Sequence, residues 1–172
     1  MMQTRPDDRL AIVPLRTRFY SKDKSGTPVN AEFLDSSYKV AGGGWLSSSP
    51  DLARFAVAAI SDRLVKRPTR DIIWTQQIPT DGLGRMAYGL GWQFGTVGGA
   101  KVVGHGGSQQ GASAMLLSAP ATRAAVVVLT NSDGVDAPGL ATRLLRIALG
   151  LPARERKAFA VDPQLYERYI GT

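Results

Sequence analysis

Gly104-His105-Gly106-Gly107-Ser108-Gln109-Gln110-Gly111 packs four glycines and the chain's only histidine into eight positions. Residues without a Cβ let a substrate backbone lie against a strand, and they let peptide N–H groups aim at an oxygen on which charge develops. His105 beside them is suited to carry a proton or to anchor a carboxylate. The same residues also fit a glycine-rich hairpin with an exposed histidine, and on their own they do not choose between the two.

The flanks turn this stretch into a fold. Upstream, Tyr88-Gly89-Leu90-Gly91-Trp92-Gln93-Phe94 alternates large and small residues, and Gly98-Gly99 makes a tight connection to Lys101-Val102-Val103, the pattern of a hairpin. Downstream, Ala112 to Leu117 and Ala124 to Thr130 predict two further strands, the second an apolar run expected to be buried on both faces. Consecutive antiparallel strands follow.

Helices bracket them. In Ser47-Ser48-Ser49-Pro50-Asp51, Ser49 is placed to cap a helix, Pro50 to open it and Asp51 to sit at its positive end. Leu52, Phe55, Ala56, Ala59 and Ile60 then form one stripe, with Arg54 and Asp62 outward, which predicts a helix over 50–65. A weaker helical stretch covers Arg70 to Gln77, closed by Pro79 and an Asp81-Gly82 turn. Ala137-Pro138 opens a last helix with Leu140, Leu144, Ile147 and Ala148 as its apolar repeat, ending at Gly150. Residues 1–40 carry no helical period and predict an irregular arm with short extended pieces. The fold class is α+β, an antiparallel sheet with flanking helices.

Composition removes several chemistries. Of 172 residues 44% are hydrophobic and 20% charged, which excludes disorder and collagen. Apolar runs such as Ala124 to Leu129 fall far short of the roughly 20 residues that span a bilayer. No cysteine means no disulfide, thiolate nucleophile or cysteine-held metal, and one histidine argues against zinc. Met1 to Asp8 lacks a basic region leading into an apolar core, so no secretory signal is read there. A net charge of +7 raises nucleic acid as a partner, but the arginines are scattered and not interleaved with stacking aromatics, so solvated surface charge is expected. Trp45, Tyr88, Trp92 and Phe94 serve either a cleft or the core, and Asp7-Asp8 is expected to be a solvated pair.

Three segments resemble the serine β-lactamase-like hydrolases, the family of class C β-lactamases, D-alanyl-D-alanine carboxypeptidases and related esterases. They are Ala41-Gly42-Gly43-Gly44-Trp45-Leu46-Ser47-Ser48-Ser49-Pro50-Asp51-Leu52-Ala53-Arg54-Phe55, Tyr88-Gly89-Leu90-Gly91-Trp92 and Gly104-His105-Gly106-Gly107, in the family's order. The likeness is strongest to the mitochondrial β-lactamase-like serine protease branch. It implies a partial β-lactamase/transpeptidase-like fold, with residues 1–155 as the later part of the catalytic domain and 156–172 as a linker into a small following domain. By the resemblance His105-Gly106-Gly107 is the third active-site motif. His105 would then position substrate and share in the proton network, the backbone N–H of Ser108 would supply part of an oxyanion hole, and Gly106 and Gly107 would border the substrate. No cofactor or metal is implied. Gly106 stands where many members carry a hydroxyl that binds a substrate carboxylate, which argues against a β-lactam or D-Ala-D-Ala substrate.

The family's mechanism needs a Ser-x-x-Lys helix start and a later Tyr-x-Asn or Ser-x-Asn motif. The chain has neither in place: its one literal Ser-x-x-Lys, Ser21-Lys22-Asp23-Lys24, runs into Ser25-Gly26-Thr27-Pro28 and not into an apolar helix. Met1-Met2-Gln3-Thr4 resembles the segment just beyond the second motif, so the expectation is a portion of a hydrolase for a small-molecule or peptide amide or ester. That portion would be inactive alone and prone to self-association through edges left unpaired. The alternative is a non-catalytic module that binds a ligand or partner.

Overall fold

Two adjacent glycines make the hairpin turn that leads into the sheet's central strand. Gly98 and Gly99 both adopt positive φ, 57° and 84°, which suits a tight hairpin between β6 (Gln93–Val97) and β7 (Ala100–Gln109). In this computed structural model, which describes residues 1–77 and 87–152, β7 is the longest strand and carries the whole glycine–histidine stretch up to Gln109. β8 (Ala112–Ala119) returns alongside it, β9 (Ala124–Thr130) follows, and β5 (Ala87–Tyr88) lies outside β6. The order is β5-β6-β7-β8-β9, antiparallel throughout, as the sequence predicts.

Alternation assigns the two faces. Val102, Met115, Leu117 and Ala119 project to one side and are buried against α3 (Ala137–Ala148) through Ala137, Ala141 and Leu145. The expected stripe of Leu140, Leu144, Ile147 and Ala148 is therefore not the buried one: Leu145 is 0% exposed, while Leu144 is 46% and Ile147 71% exposed. The small residues at 137 and 141 let the helix lie close to the sheet, and that decides which face turns inward. The helix ends as predicted, with Gly150 N–H on the Ile147 carbonyl and Leu151 N–H on that of Arg146.

On the opposite face, α1 (Ser49–Ile60) places Ala56 and Ala59 against β8 and β9. Its cap is Ser48, whose hydroxyl accepts from Asp51 N–H, and not Ser49, which is the first helical residue. The helix stops five residues before the expected 65 because Ser61 caps it and Asp62 turns left-handed, with φ 59°. α2 (Arg67–Ile73) begins earlier than the expected Arg70, since Pro68 is accommodated in its first turn. Trp92 stacks on Phe55 of α1 and meets Trp74 edge-on, so it serves packing. β9 carries a helix on each face, α3 on one and α1 on the other, yet is only half-buried, since it lies at the sheet's edge.

The arm is irregular, with short extended pieces: β1 (Arg5–Pro6) pairs with β4 (Trp45–Leu46), and β2 (Tyr20–Lys22) with β3 (Pro28–Asn30). Carboxylates tie it down. Asp51 is buried and accepts from Gln3 N–H at 2.7 Å and the Thr4 hydroxyl at 3.1 Å; the Gln3 amide above all holds its pKa below the ordinary 3.8. Asp133 accepts from the Ser21 hydroxyl at 2.5 Å and Gly111 N–H at 2.6 Å, and its pKa is likewise lowered, chiefly by Ser21. Asp7 and Asp8 do not form a solvated pair: Asp8 accepts from Leu10 N–H, but Asp7 is buried and holds Arg16 at 2.9 and 3.0 Å. The Pro79 and Asp81-Gly82 turn and the expected domain start at 156–172 lie outside the described residues. No helix among the described residues is long and apolar enough to cross a membrane.

Candidate active site

β6 covers only half of β7. Their pairing runs from Val97↔Ala100 to Gln93↔Gly104, so among the described residues His105 to Gln109 have β8 on one side and no strand on the other. Which backbone groups face that open edge follows from the next strand over. The Thr130 hydroxyl bonds both the N–H (3.1 Å) and the C=O (3.0 Å) of Ser113, so Ser113 turns its backbone groups toward β9. Ser113 is paired with Ser108, and in an antiparallel ladder a residue whose groups face one neighbour offers none to the other. Ser108 therefore points its own N–H and C=O away from β8, out to the open edge. Gly106, two residues earlier, does the same.

The Gly106 carbonyl already has a partner. His105 Nδ1 lies 2.6 Å from it, and since a carbonyl only accepts, Nδ1 carries the proton. The other ring nitrogen, Nε2, is 2.7 Å from the Tyr88 hydroxyl, the two rings standing nearly perpendicular at 82°. In the neutral imidazole Nε2 then has a lone pair, and Tyr88 is the donor.

The glycines separate by what the fold demands of them. A Cβ on Gly104 would come within 2.2 Å of the Leu116 carbonyl oxygen, and one on Gly106 would meet the flexible Met115 sulfur at 3.2 Å. At Gly107 it would meet nothing within 4 Å. Gly104 is required by packing, whereas the open space at Gly107 faces a cleft of about 860 Å³ that Gly107, Ser108 and Gln109 line together with Trp45, Ser47 and Leu52. Trp45 is a cleft residue, steadied by its indole N–H on the Val40 carbonyl at 2.7 Å. Arg5 and Lys39 add positive charge to the same lining.

Residues 3–149 match the family described as Beta-lactamase. The chain belongs to the beta-lactamase family. It is 30% identical over 145 residues to the mitochondrial serine beta-lactamase-like protein LACTB of Bos taurus, an alignment covering 70% of this chain and 26% of that protein. The chain thus spans about a quarter of the length of this curated relative. Among solved structures, the octameric penicillin-binding protein homologue from Pyrococcus abyssi superposes with a TM-score of 0.70 at 29% identity, covering 78% of this chain and 31% of its own. A D-stereospecific amidohydrolase from a Streptomyces species gives a TM-score of 0.65 at 25% identity, covering 77% and 40%.

Within this beta-lactamase-family frame, His105, Gly106, Gly107 and Ser108 are neighbours along β7, and the open edge and the cleft meet at Ser108. Ser21 is elsewhere in kind: it sits on β2, not at a helix start, with its hydroxyl given to Asp133. Tyr88 was legible only as a cleft or core aromatic, yet it is the partner of His105. The hairpin register carries the signal, for Tyr88↔Gln93 and Gln93↔Gly104 put Tyr88 in the row beside the lone histidine.

Proposed function

We propose that the chain supplies the third-motif wall of a serine hydrolase that cleaves an amide or ester through an acyl-enzyme. The reading rests on the open edge of β7, to which Ser108 turns its N–H, and on the cleft that Gly107 and Ser108 help to line. A peptide or amide laid along that edge pairs with backbone groups in the manner of an added strand, and the Ser108 N–H is placed to stabilise charge on its carbonyl oxygen. Gly107 keeps the approach clear. The amidohydrolase likeness favours an amide, and the absence of a hydroxyl at Gly106 disfavours recognition of a substrate carboxylate by that position.

The nucleophile and its base are contributed by residues outside 1–172, in this reading, so the chain is the later part of a catalytic domain and is inactive alone. Two measurements test it on the chain itself. Incubation with a penicillin and with an activated ester, followed by intact-mass measurement, leaves the mass unchanged. Titration with a short D-amino-acid amide moves the amide NMR signals of Gly106 and Ser108. An adduct on any serine of the chain overturns the division of labour, and amide shifts that avoid β7 overturn the assignment of the wall.

A further inference from the structure

Along the outer edge of β7 the exposed groups come in the order Gly106 N–H, Gly106 C=O, Ser108 N–H, Ser108 C=O, because alternate residues face the same side. The neighbour of the donor assigned to the oxyanion is thus a carbonyl, whose partial negative charge opposes a developing oxyanion. The structure closes that carbonyl with His105 Nδ1 at 2.6 Å. This contact exists only in the Nδ1–H tautomer, and which ring nitrogen bears the proton is set by the bond the other one makes. The other one is Nε2, 2.7 Å from the hydroxyl of half-buried Tyr88. Tyr88 is held in place by its own pairing with Gln93 and by the adjoining Gly89, whose N–H donates to the Trp92 carbonyl at 2.8 Å.

We propose that Tyr88 is a positioning residue for this site: by donating to Nε2 it fixes His105 as the Nδ1–H tautomer, and His105 in turn covers the Gly106 carbonyl so that the edge beside Ser108 presents donors. The assignment rests on the hydrolase reading for its catalytic meaning, but not for its chemistry. His105 is here a group that shapes the backbone, with neither nitrogen left for substrate.

The chain has one histidine, so its imidazole ¹⁵N signals need no assignment. A two-bond ¹H–¹⁵N correlation spectrum, recorded well above the ordinary imidazole range of about 6.5, is expected to show Nδ1 as the protonated, pyrrole-type nitrogen and Nε2 as pyridine-type. Tyr88→Phe keeps the ring and removes the donor, and it shifts the equilibrium toward the Nε2–H form while the amide signals of Met115 and Ala114 stay in place. A wild-type spectrum with the proton on Nε2 overturns the proposal whether or not the variant folds, and so does a tautomer that Tyr88→Phe leaves untouched. In the parent enzyme, Tyr88→Phe lowers kcat by about 10-fold with KM held, less than the 10²–10³ lost with an oxyanion donor itself. A raised KM at unchanged kcat overturns the role. A parent without turnover overturns the hydrolase reading and the catalytic meaning drawn from it, and the tautomer spectrum then decides the Tyr88–His105 link by itself.

Discussion

At the scale of single residues, glycine identity on β7 divides into what packing needs and what a ligand needs. Gly104→Ala drives a Cβ into the Leu116 carbonyl and is expected to cost about 1–3 kcal/mol, the range for overpacking a close site, read as a lowered urea midpoint. Gly107→Ala meets nothing, so its melting curve is expected to stay within about 0.5 kcal/mol of wild type while the affinity for a D-amino-acid amide falls. Equal destabilisation by the two would contradict the separation. The sequence shows four glycines and a histidine but not this difference, which depends on the register that sets Gly104 against Leu117 and Gly107 against Ala114.

Among elements, the sheet was the most legible part, because Gly98-Gly99 and the alternating strands state their pairing locally. Helix faces were less so. The apolar repeat of α3 includes Leu144 and Ile147, yet the sheet selected the Ala137, Ala141 and Leu145 stripe, a choice made by how near the backbones approach. Leu145→Ala is accordingly expected to cost about 2–5 kcal/mol, and Ile147→Ala little beyond about 0.5, by chemical denaturation. The capping serine was misplaced by one residue for a similar reason: three serines in a row offer three caps, and the helix starts where the Pro50 ring fits its first turn. Ser48→Ala costs about 0.5–2 kcal/mol, Ser49→Ala much less. The arm's attachments were not legible at all, since Asp51 to Gln3 and Asp133 to Ser21 join residues 48 and 112 positions apart. Both carboxyls have folded pKa values below the ordinary 3.8, so the unfolded chain takes up protons first as pH falls. Their stabilisation is present above that value and lost below it. Melting temperature is expected to hold from neutral pH to about 5 and to drop below about 4, with Asp133→Asn flattening part of the drop.

For the whole molecule, the sheet ends on β9, seven residues without a charge, beyond which the described residues add only the Tyr20↔Ser132 bridge. An apolar edge of this length pairs with another, so the isolated chain is expected to self-associate with concentration in light scattering, and Leu129→Lys to reduce it. A monodisperse monomer would remove the argument that this edge awaits a strand. In the proposed reading the site is a wall with donors, a tyrosine-held histidine and a cleft, with its nucleophile and base supplied from elsewhere. The central claim is that those groups come from the same polypeptide outside 1–172, and it is tested most directly by reading the coding sequence in frame upstream of the Met1 codon. The account predicts a Ser-x-x-Lys helix start followed by Tyr-x-Asn or Ser-x-Asn. An in-frame stop immediately upstream would contradict it and leave a binding module in place of a hydrolase.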